Sequence, residues 1–400
     1  MFLCSLLLFK EFIEMKKIIN HLFAGLAVLY CISCSQSNWN ELGVYKKETI
    51  KINPEKISGQ LKKDRYNVDS ICTLSLPDGI ELHEISKFIV KDNKIFVMDS
   101  RLDKTIYVFD NSGKFLFKAG EKGRAKNEYI DGPSNFFVDN DGNMHVFDRN
   151  AKKILIFNNN GKIKKVIDFI QYFPNSFGMK ASNKYILDFN FDKDQNNTVL
   201  AECDENNIIT NELIHRVDKY YYDIEQTFFA NEDRLSHIPL MADSVLVFKD
   251  DTLEKIVKFD FGGKFLMEEE PSLVLKLNKP ENLTAYKGVR ALLSYQETDN
   301  LVLLEYIYKK SVNYWMYNKK TSNCTSGPII FDGLCPFVNY FLKGNQIISI
   351  ITKNEVPTDG TGEEYDKDIY KRNYNNSPKQ IQDIYDGKIK LPAIVFISTK

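Results

Sequence analysis

From about residue 85 the chain alternates between apolar runs of four to five residues and polar turns, and the alternation repeats. Residues 86–113 and 134–161 are copies of each other at an offset of 48. Phe88 matches Phe136, Val90 matches Val138 and Phe109 matches Phe157; after a one-residue slip, Val97 matches Val146 and Asp99 matches Asp148. The runs end in turn chemistry, Asp110-Asn111-Ser112-Gly113 in one copy and Asn158-Asn159-Asn160-Gly161 in the other, which marks β-hairpins. Runs that are apolar throughout, rather than at alternate positions, suit strands covered on both faces.

A weaker third copy begins at Asn183-Lys184-Tyr185-Ile186-Leu187-Asp188. Hairpins follow at 244–248 with 255–259, at 301–308 with 311–317, and at 337–342 with 346–351. A period in the high forties and unit starts near 85, 134, 176, 227, 285 and 329 predict an all-β fold, a six-bladed β-propeller with four-stranded blades. The apolar run 391–397 is a strand that pairing with residues 70–76 would protect, so the N- and C-terminal strands are expected to share a blade. One segment departs from the pattern. Residues 353–390 read as a short helical insertion, with Ser377 as N-cap, Pro378 in the first turn, Ile381, Ile384 and Tyr385 on one face, and Gly387 past the end.

The first 34 residues carry a processing signal. Met15-Lys16-Lys17 is a basic start, with Met15 expected as the true initiator, residues 22–32 are an apolar stretch, and Ser33-Cys34 closes it. Cys31-Ile32-Ser33-Cys34-Ser35 is similar to a bacterial lipobox with Cys31 in place of the usual Leu. That similarity implies cleavage before Cys34, lipidation of Cys34 and attachment to a membrane, with the outer membrane expected, facing the periplasm or the exterior. Residues 35–64 are polar and read as a flexible tether, leaving 65–400 for the propeller.

Charge is balanced, 53 basic against 54 acidic residues, so no electrostatic footprint for nucleic acid is present and no nucleic-acid partner is expected. Cys72, Cys203, Cys324 and Cys335 have no metal-ligand spacing and read as free thiols, with a Cys324 to Cys335 bridge as the alternative. His83, His145, His215 and His237 do not fall at equivalent repeat positions, so no shared metal site is expected, and no cofactor motif is present. Asp99 and Asp148 end equivalent runs and read as caps on the turns that follow.

The chain resembles the six-bladed β-propeller lipoproteins, relatives of NHL-repeat propellers. The resemblance rests on Ile95-Phe96-Val97-Met98-Asp99, on Tyr107-Val108-Phe109-Asp110-Asn111-Ser112-Gly113, and on Gly123-Arg124-Ala125-Lys126-Asn127-Glu128-Tyr129. In the family the last loop usually reads Gly-Arg-Gly-Pro-Gly-Glu-Tyr; here Ala125, Lys126 and Asn127 replace its core. Members mostly have no assigned activity. Arg124, Glu128 and Tyr129, with Arg101 and Arg149 beside the strand-ending aspartates, form the candidate ligand-binding set, because Arg offers a planar fork for carboxylate or phosphate. A structural Arg124 to Glu128 pair is the alternative. The expected function is a non-catalytic binding module for a small molecule, glycan or protein. The rival is a hydrolase or lyase acting on a glycan or peptide at the channel mouth.

Overall fold

The structure, a computed structural model, describes residues 45–400 except 57–58, 60, 83–84, 101–102, 170–172, 190–197, 205, 216–226, 232, 240–241, 267–285, 329, 334–338 and 354–370. Six antiparallel sheets form the blades. Blade I holds β3 (Ile85–Lys91), β4 (Lys94–Asp99), β5 (Thr105–Asp110) and β6 (Phe115–Ala119). Blade II holds β7 (Asn135–Val138), β8 (Met144–Asp148), β9 (Lys153–Phe157) and β10 (Ile163–Asp168). Blade III is β11 (Ser176–Met179), β12 (Tyr185–Asp188), β13 (Thr198–Cys203) and β14 (Ile209–His215). Blade IV is β15 (Phe228–Asn231), β16 (Arg234–His237), β17 (Ser244–Lys249) and β18 (Thr252–Asp260). Blade V is β19 (Val289–Glu297), β20 (Leu301–Tyr308), β21 (Ser311–Asn318) and β22 (Asn323–Gly327). Blade VI combines β23 (Tyr340–Lys343), β24 (Gln346–Ile351) and the C-terminal β25 (Ala393–Thr399) with the N-terminal β2 (Tyr66–Thr73) as its outermost strand.

The first strands of neighbouring blades touch one another around the ring, β3 to β7 to β11 to β15 to β19 to β23 and back to β3. Four apolar clusters lie between blades rather than within one. Phe88, Phe136 and Ile348 belong to a cluster that joins blades VI, I and II, and Phe177, Phe147 and Leu235 to one that joins II, III and IV. Inner strands such as β7, β8 and β9 are therefore covered on both faces, as their uninterrupted apolar runs require. Pairing β2 with β25, from Tyr66 opposite Thr399 to Thr73 opposite Ala393, hides two edges that would otherwise template aggregation.

The copied turns are built alike. Asp110 Oδ1 accepts the Ser112 and Lys114 amides, Asn158 Oδ1 those of Asn160 and Lys162, and Asp204 Oδ1 those of Asn206 and Ile208. Gly113 sits at φ +81°, where a Cβ would meet the Thr73 carbonyl oxygen at 2.1 Å. Only glycine fits there.

Two details differ from the sequence reading. The stretch expected as a tether contains β1 (Lys46–Lys51), which pairs in parallel with β18 as a fifth strand of blade IV. Farther along, Ser326 Oγ of blade V donates to the Lys56 carbonyl, and the Leu61 amide to that of Ile330. The insertion does contain a helix, α1 (Lys379–Tyr385), with Ile381 and Ile384 buried and Gly387 at φ +70° past its end. The Lys388 amide donates to the Asp383 carbonyl and that of Gly387 to Ile384, closing a Schellman motif. Ser377, however, is not its N-cap. It is buried at the preceding turn, its hydroxyl bonded to the carbonyls of Asn373 and Gly333, and Pro378 takes the cap position with no side-chain hydrogen bond. Among the described residues no helix is long and apolar enough to cross a membrane.

Candidate functional site

A propeller has two mouths, and strand direction assigns each connection to one of them. The turns between first and second strands open on the same mouth in every blade. The loops between second and third strands, and the crossovers from one blade to the next, open on the other. Arg124, Glu128 and Arg149 all belong to this loop mouth, between β6 and β7 and between β8 and β9. Arg101 lies outside the described residues, as do Cys34, His83 and Cys335.

The structure does not converge the loop-mouth residues on a common point. Tyr129 is fully buried; its hydroxyl donates to the Ala119 carbonyl at 2.9 Å and its ring packs against Phe157. Burial pushes its phenol well above the usual tyrosine range. Glu128 turns inward and accepts the Ala125 amide at 2.8 Å, capping its own loop. Lys153, buried beneath the loop, donates to the Lys126 and Glu128 carbonyls at 2.9 and 2.7 Å. Asp148 accepts the Ile130 and Ala151 amides, the capping role expected of it, and the Arg149 amide donates to Ser134 Oγ. Arg124 is exposed and forms no ion pair with Glu128 or any other described residue.

The turn mouth opens into a cavity of about 340 Å³. Its apolar floor comes from Ile89, Val138, Ala230 and Phe341 at the ends of the first strands. Its rim is polar and largely committed to joining blades. Lys91 donates to the Val138 carbonyl at 2.9 Å and to Asn140 at 3.1 Å, and burial pulls its ammonium below the usual lysine range. Arg234 is buried and bonds Asp233 at 3.1 Å and Asp299 at 2.9 Å. Asp139 pairs with His145 at 3.1 Å, whose other ring nitrogen meets the Tyr185 hydroxyl at 2.8 Å. Burial opposes ionisation of Asp139, but hydrogen bonds from His145 and Asn143 outweigh it and hold the carboxyl at about 2.

Two described rim atoms lack a hydrogen-bond partner: Arg234 Nε, which still has the Glu254 carboxylate at 3.5 Å, and Asn231 Oδ1, which has no such charge. Asn231 is 2% exposed; its amide nitrogen donates to the Glu297 carbonyl at 2.6 Å, while its Oδ1 has no hydrogen-bond partner. A buried amide oxygen without a donor costs about 1–3 kcal/mol, so it is a place where an incoming N–H or O–H gains most.

Beneath the mouth, and sharing Ile89, Ala230 and Phe341 with it, lies a second chamber of about 280 Å³. Lys87 on β3 and Glu305 on β20 line it, with Ser86, Ser294 and Tyr340. The Lys87 ammonium donates to Asn135 Oδ1 at 2.8 Å and lies 3.8 Å from the centre of the Phe137 ring. Burial without a counter-charge brings it down to about 7. Glu305 accepts from Ser294 Oγ at 3.2 Å, and burial raises it to about 7 against that one hydrogen bond.

Sequence reasoning passed over Asn231, Lys87 and Glu305. The available signal was a charge inside an otherwise apolar run, Lys87 before Phe88-Ile89-Val90 and Glu305 within Leu301-Val302-Leu303-Leu304-Glu305-Tyr306-Ile307. His237, like His145, is buried against a carboxylate, bonding Asp188 at 2.9 Å. No group of three or more His, Cys, Asp or Glu side chains converges as metal ligands among the described residues, and Cys324 is a free, exposed thiol.

A family model described as "Domain of unknown function (DUF4934)" matches residues 81–384. A search of curated proteins by sequence gives no match. Among solved structures, a Bacteroides fragilis protein named for its expected export superposes with a TM-score of 0.68 at 14% identity, covering 89% of this chain and 100% of its own. A member of the DUF4221 family from Bacteroides vulgatus covers 85% of this chain and 99% of its own, with a TM-score of 0.45 at 13% identity. Virginiamycin B lyase of Staphylococcus aureus covers 71% and 95%, with a TM-score of 0.38 at 10% identity. At these identities the likeness to the first speaks for the fold.

Proposed function

Taking as premise that the chain belongs to the DUF4934 family, we propose that it is an exported lipoprotein, acylated at Cys34, whose propeller serves as a non-catalytic binding module in the cell envelope. Export is supported by the Met15 to Cys34 signal pattern and by the name of the Bacteroides fragilis structure with the same fold. The ligand, a small molecule, glycan or protein segment, enters at the turn mouth. The observation that carries this is the unpartnered Asn231 Oδ1 at the edge of a polar-rimmed, apolar-floored cavity. Arg124 and Arg149 on the loop mouth form the second place to test for an anionic ligand.

The anchor is tested by fatty-acid labelling and fractionation. Cys34→Ala is expected to lose the label and leave the membrane, since stable attachment takes two acyl signals or more; a variant that still sediments with membranes and a wild type that takes up no label refute the lipidation. The site is tested by a thermal-shift screen of small metabolites, oligosaccharides and peptides on the purified propeller. Hits whose shift vanishes in Asn231→Leu support the turn mouth, while hits lost only in Arg124→Ala move the site to the loop mouth.

A further inference from the structure

The deep chamber presents two opposite charges that the protein does not neutralise. Lys87 reaches it from blade I, Glu305 from blade V, and among the described residues neither has an oppositely charged partner. Lys87 bonds a neutral amide and faces an aromatic ring; Glu305 bonds a single hydroxyl. Two other buried charges in this molecule show full pairing, whereas Lys153 is held by carbonyls alone. Glu297, 2% exposed, has Lys255 at 2.8 Å, Lys319 at 2.5 Å and the Tyr295 hydroxyl at 2.7 Å. Lys180 is paired with Glu202 in the same way. What sets Lys87 and Glu305 apart is that they are opposite in sign and line one cavity, so a single ligand carrying both charges would neutralise both.

We propose that the chamber beneath the turn mouth binds a small zwitterion, with the Lys87 ammonium receiving its carboxylate and the Glu305 carboxylate its ammonium. The inference deepens the channel-binding reading and rests on it. The chamber volume of about 280 Å³ suits a molecule the size of a free or ω-amino acid. Ser86, which also lines the chamber, has a buried hydroxyl oxygen with no hydrogen-bond partner. The apolar side chains Phe88, Ile89, Phe229, Leu293 and Phe341 supply a surface for the methylene chain between the two charges. Burial without a counter-charge brings both Lys87 and Glu305 to about 7.

The test uses ω-amino acids of rising length as a ruler, from glycine and β-alanine through γ-aminobutyrate and δ-aminovalerate to ε-aminohexanoate, titrated calorimetrically into the purified propeller at neutral pH. One length is expected to bind best, with the diacid and the diamine of matching length weaker by roughly tenfold or more, since each leaves one protein charge unpaired. Lys87→Met and Glu305→Gln are each expected to weaken the best ligand by a similar factor. Both remove an unpaired buried charge, so a melting temperature no lower than that of the wild type is expected and separates lost binding from lost fold. Equal binding of diacid or diamine overturns the assignment, as does a ruler series with no binding member or one indifferent to both variants. A screen hit that depends on Asn231 but not on Lys87 or Glu305 keeps the turn mouth as a site and overturns the zwitterion.

Discussion

The two mouths of this propeller are made from the same residue types, yet they use their polar groups differently. At the loop mouth, around blades I and II, Tyr129, Glu128, Lys153 and Asp148 each satisfy a backbone group of the crossover loop or of the strand before it. Their chemistry is spent on holding an irregular segment whose amides and carbonyls have no ladder partner. The turn mouth is closed by tight hairpins that satisfy most of their own backbone, so some side chains there and in the chamber below are left over: Asn231 Oδ1, Lys87 and Glu305. Polar density and unmet polar demand are therefore separate properties in this propeller: the loop mouth has the first, the turn mouth and the chamber below it the second.

The largest expected effect tests whether the loop mouth is structural. Tyr129→Ala should destabilise the fold by about 3–5 kcal/mol, the range for emptying a large aromatic site, read by denaturant unfolding; a variant as stable as the wild type would remove the basis of the contrast. Next comes the charge left in the chamber. Lys87 titrates near 7 in the fold and near 10.4 unfolded, so the unfolded chain binds more protons between these values and stability rises with pH across that window. Glu305, raised to about 7 from the ordinary glutamate range near 4.3, binds its proton more tightly when folded, so its contribution falls as pH rises from about 4 to 7. Together they give a shallow minimum near neutrality. Lys87→Met should abolish most of the alkaline rise, about 4–5 kcal/mol, and Glu305→Gln the acid-side fall, about 3–4 kcal/mol, in unfolding free energies measured across pH. Curves unchanged by either substitution would show that the two charges are already paired.

Asp139 sharpens the comparison from within the turn mouth, because it is a polar group there that is fully used. Its folded value of about 2 lies below the unfolded value near 3.9, so its contribution is complete above the unfolded value and is lost as pH falls through the folded one. Asp139→Asn should cost about 2 kcal/mol at neutral pH and flatten the acid limb; an unaltered acid limb would contradict the His145 and Asn143 bonds. The smallest effects fall on the exposed part of the loop mouth. Glu128→Ala should cost about 1 kcal/mol through the lost amide bond, Arg124→Ala less than about 0.5 kcal/mol, and the double variant should be additive. Clear coupling between them in thermal melts would restore the Arg124 to Glu128 pair.

Much of the fold was legible because it is written in local periodicity. The hairpin expected at 301–308 and 311–317 is β20 and β21, Leu301–Tyr308 and Ser311–Asn318, and the C-terminal run 391–397 does share a blade with the N-terminal strand. β1 escaped notice because Lys46–Lys51 is an exposed edge strand whose only partner, β18, lies about two hundred residues away, so nothing in its own composition distinguishes it from a tether. Ser377 misled for a related reason: the residues Ser-Pro before a helix suit an N-cap, but the carbonyl of Gly333, on a different blade segment, takes the hydroxyl.

The sequence by itself determined the repeat, the blade count, and the turn glycines and aspartates, since each depends on residues within one hairpin or one period, and it determined the shared blade because an apolar terminal run needs a partner strand. Only the tertiary structure decided which polar side chains are satisfied. Lys87 meets Asn135 one blade away, Asn231 meets the Glu297 carbonyl across the next seam, and Tyr129 reaches back to Ala119 beneath its own loop. Whether a buried donor or acceptor is spent or spare depends on neighbours that the chain brings together only when the ring closes, and hydrogen bonds, unlike apolar contacts, are decided one partner at a time.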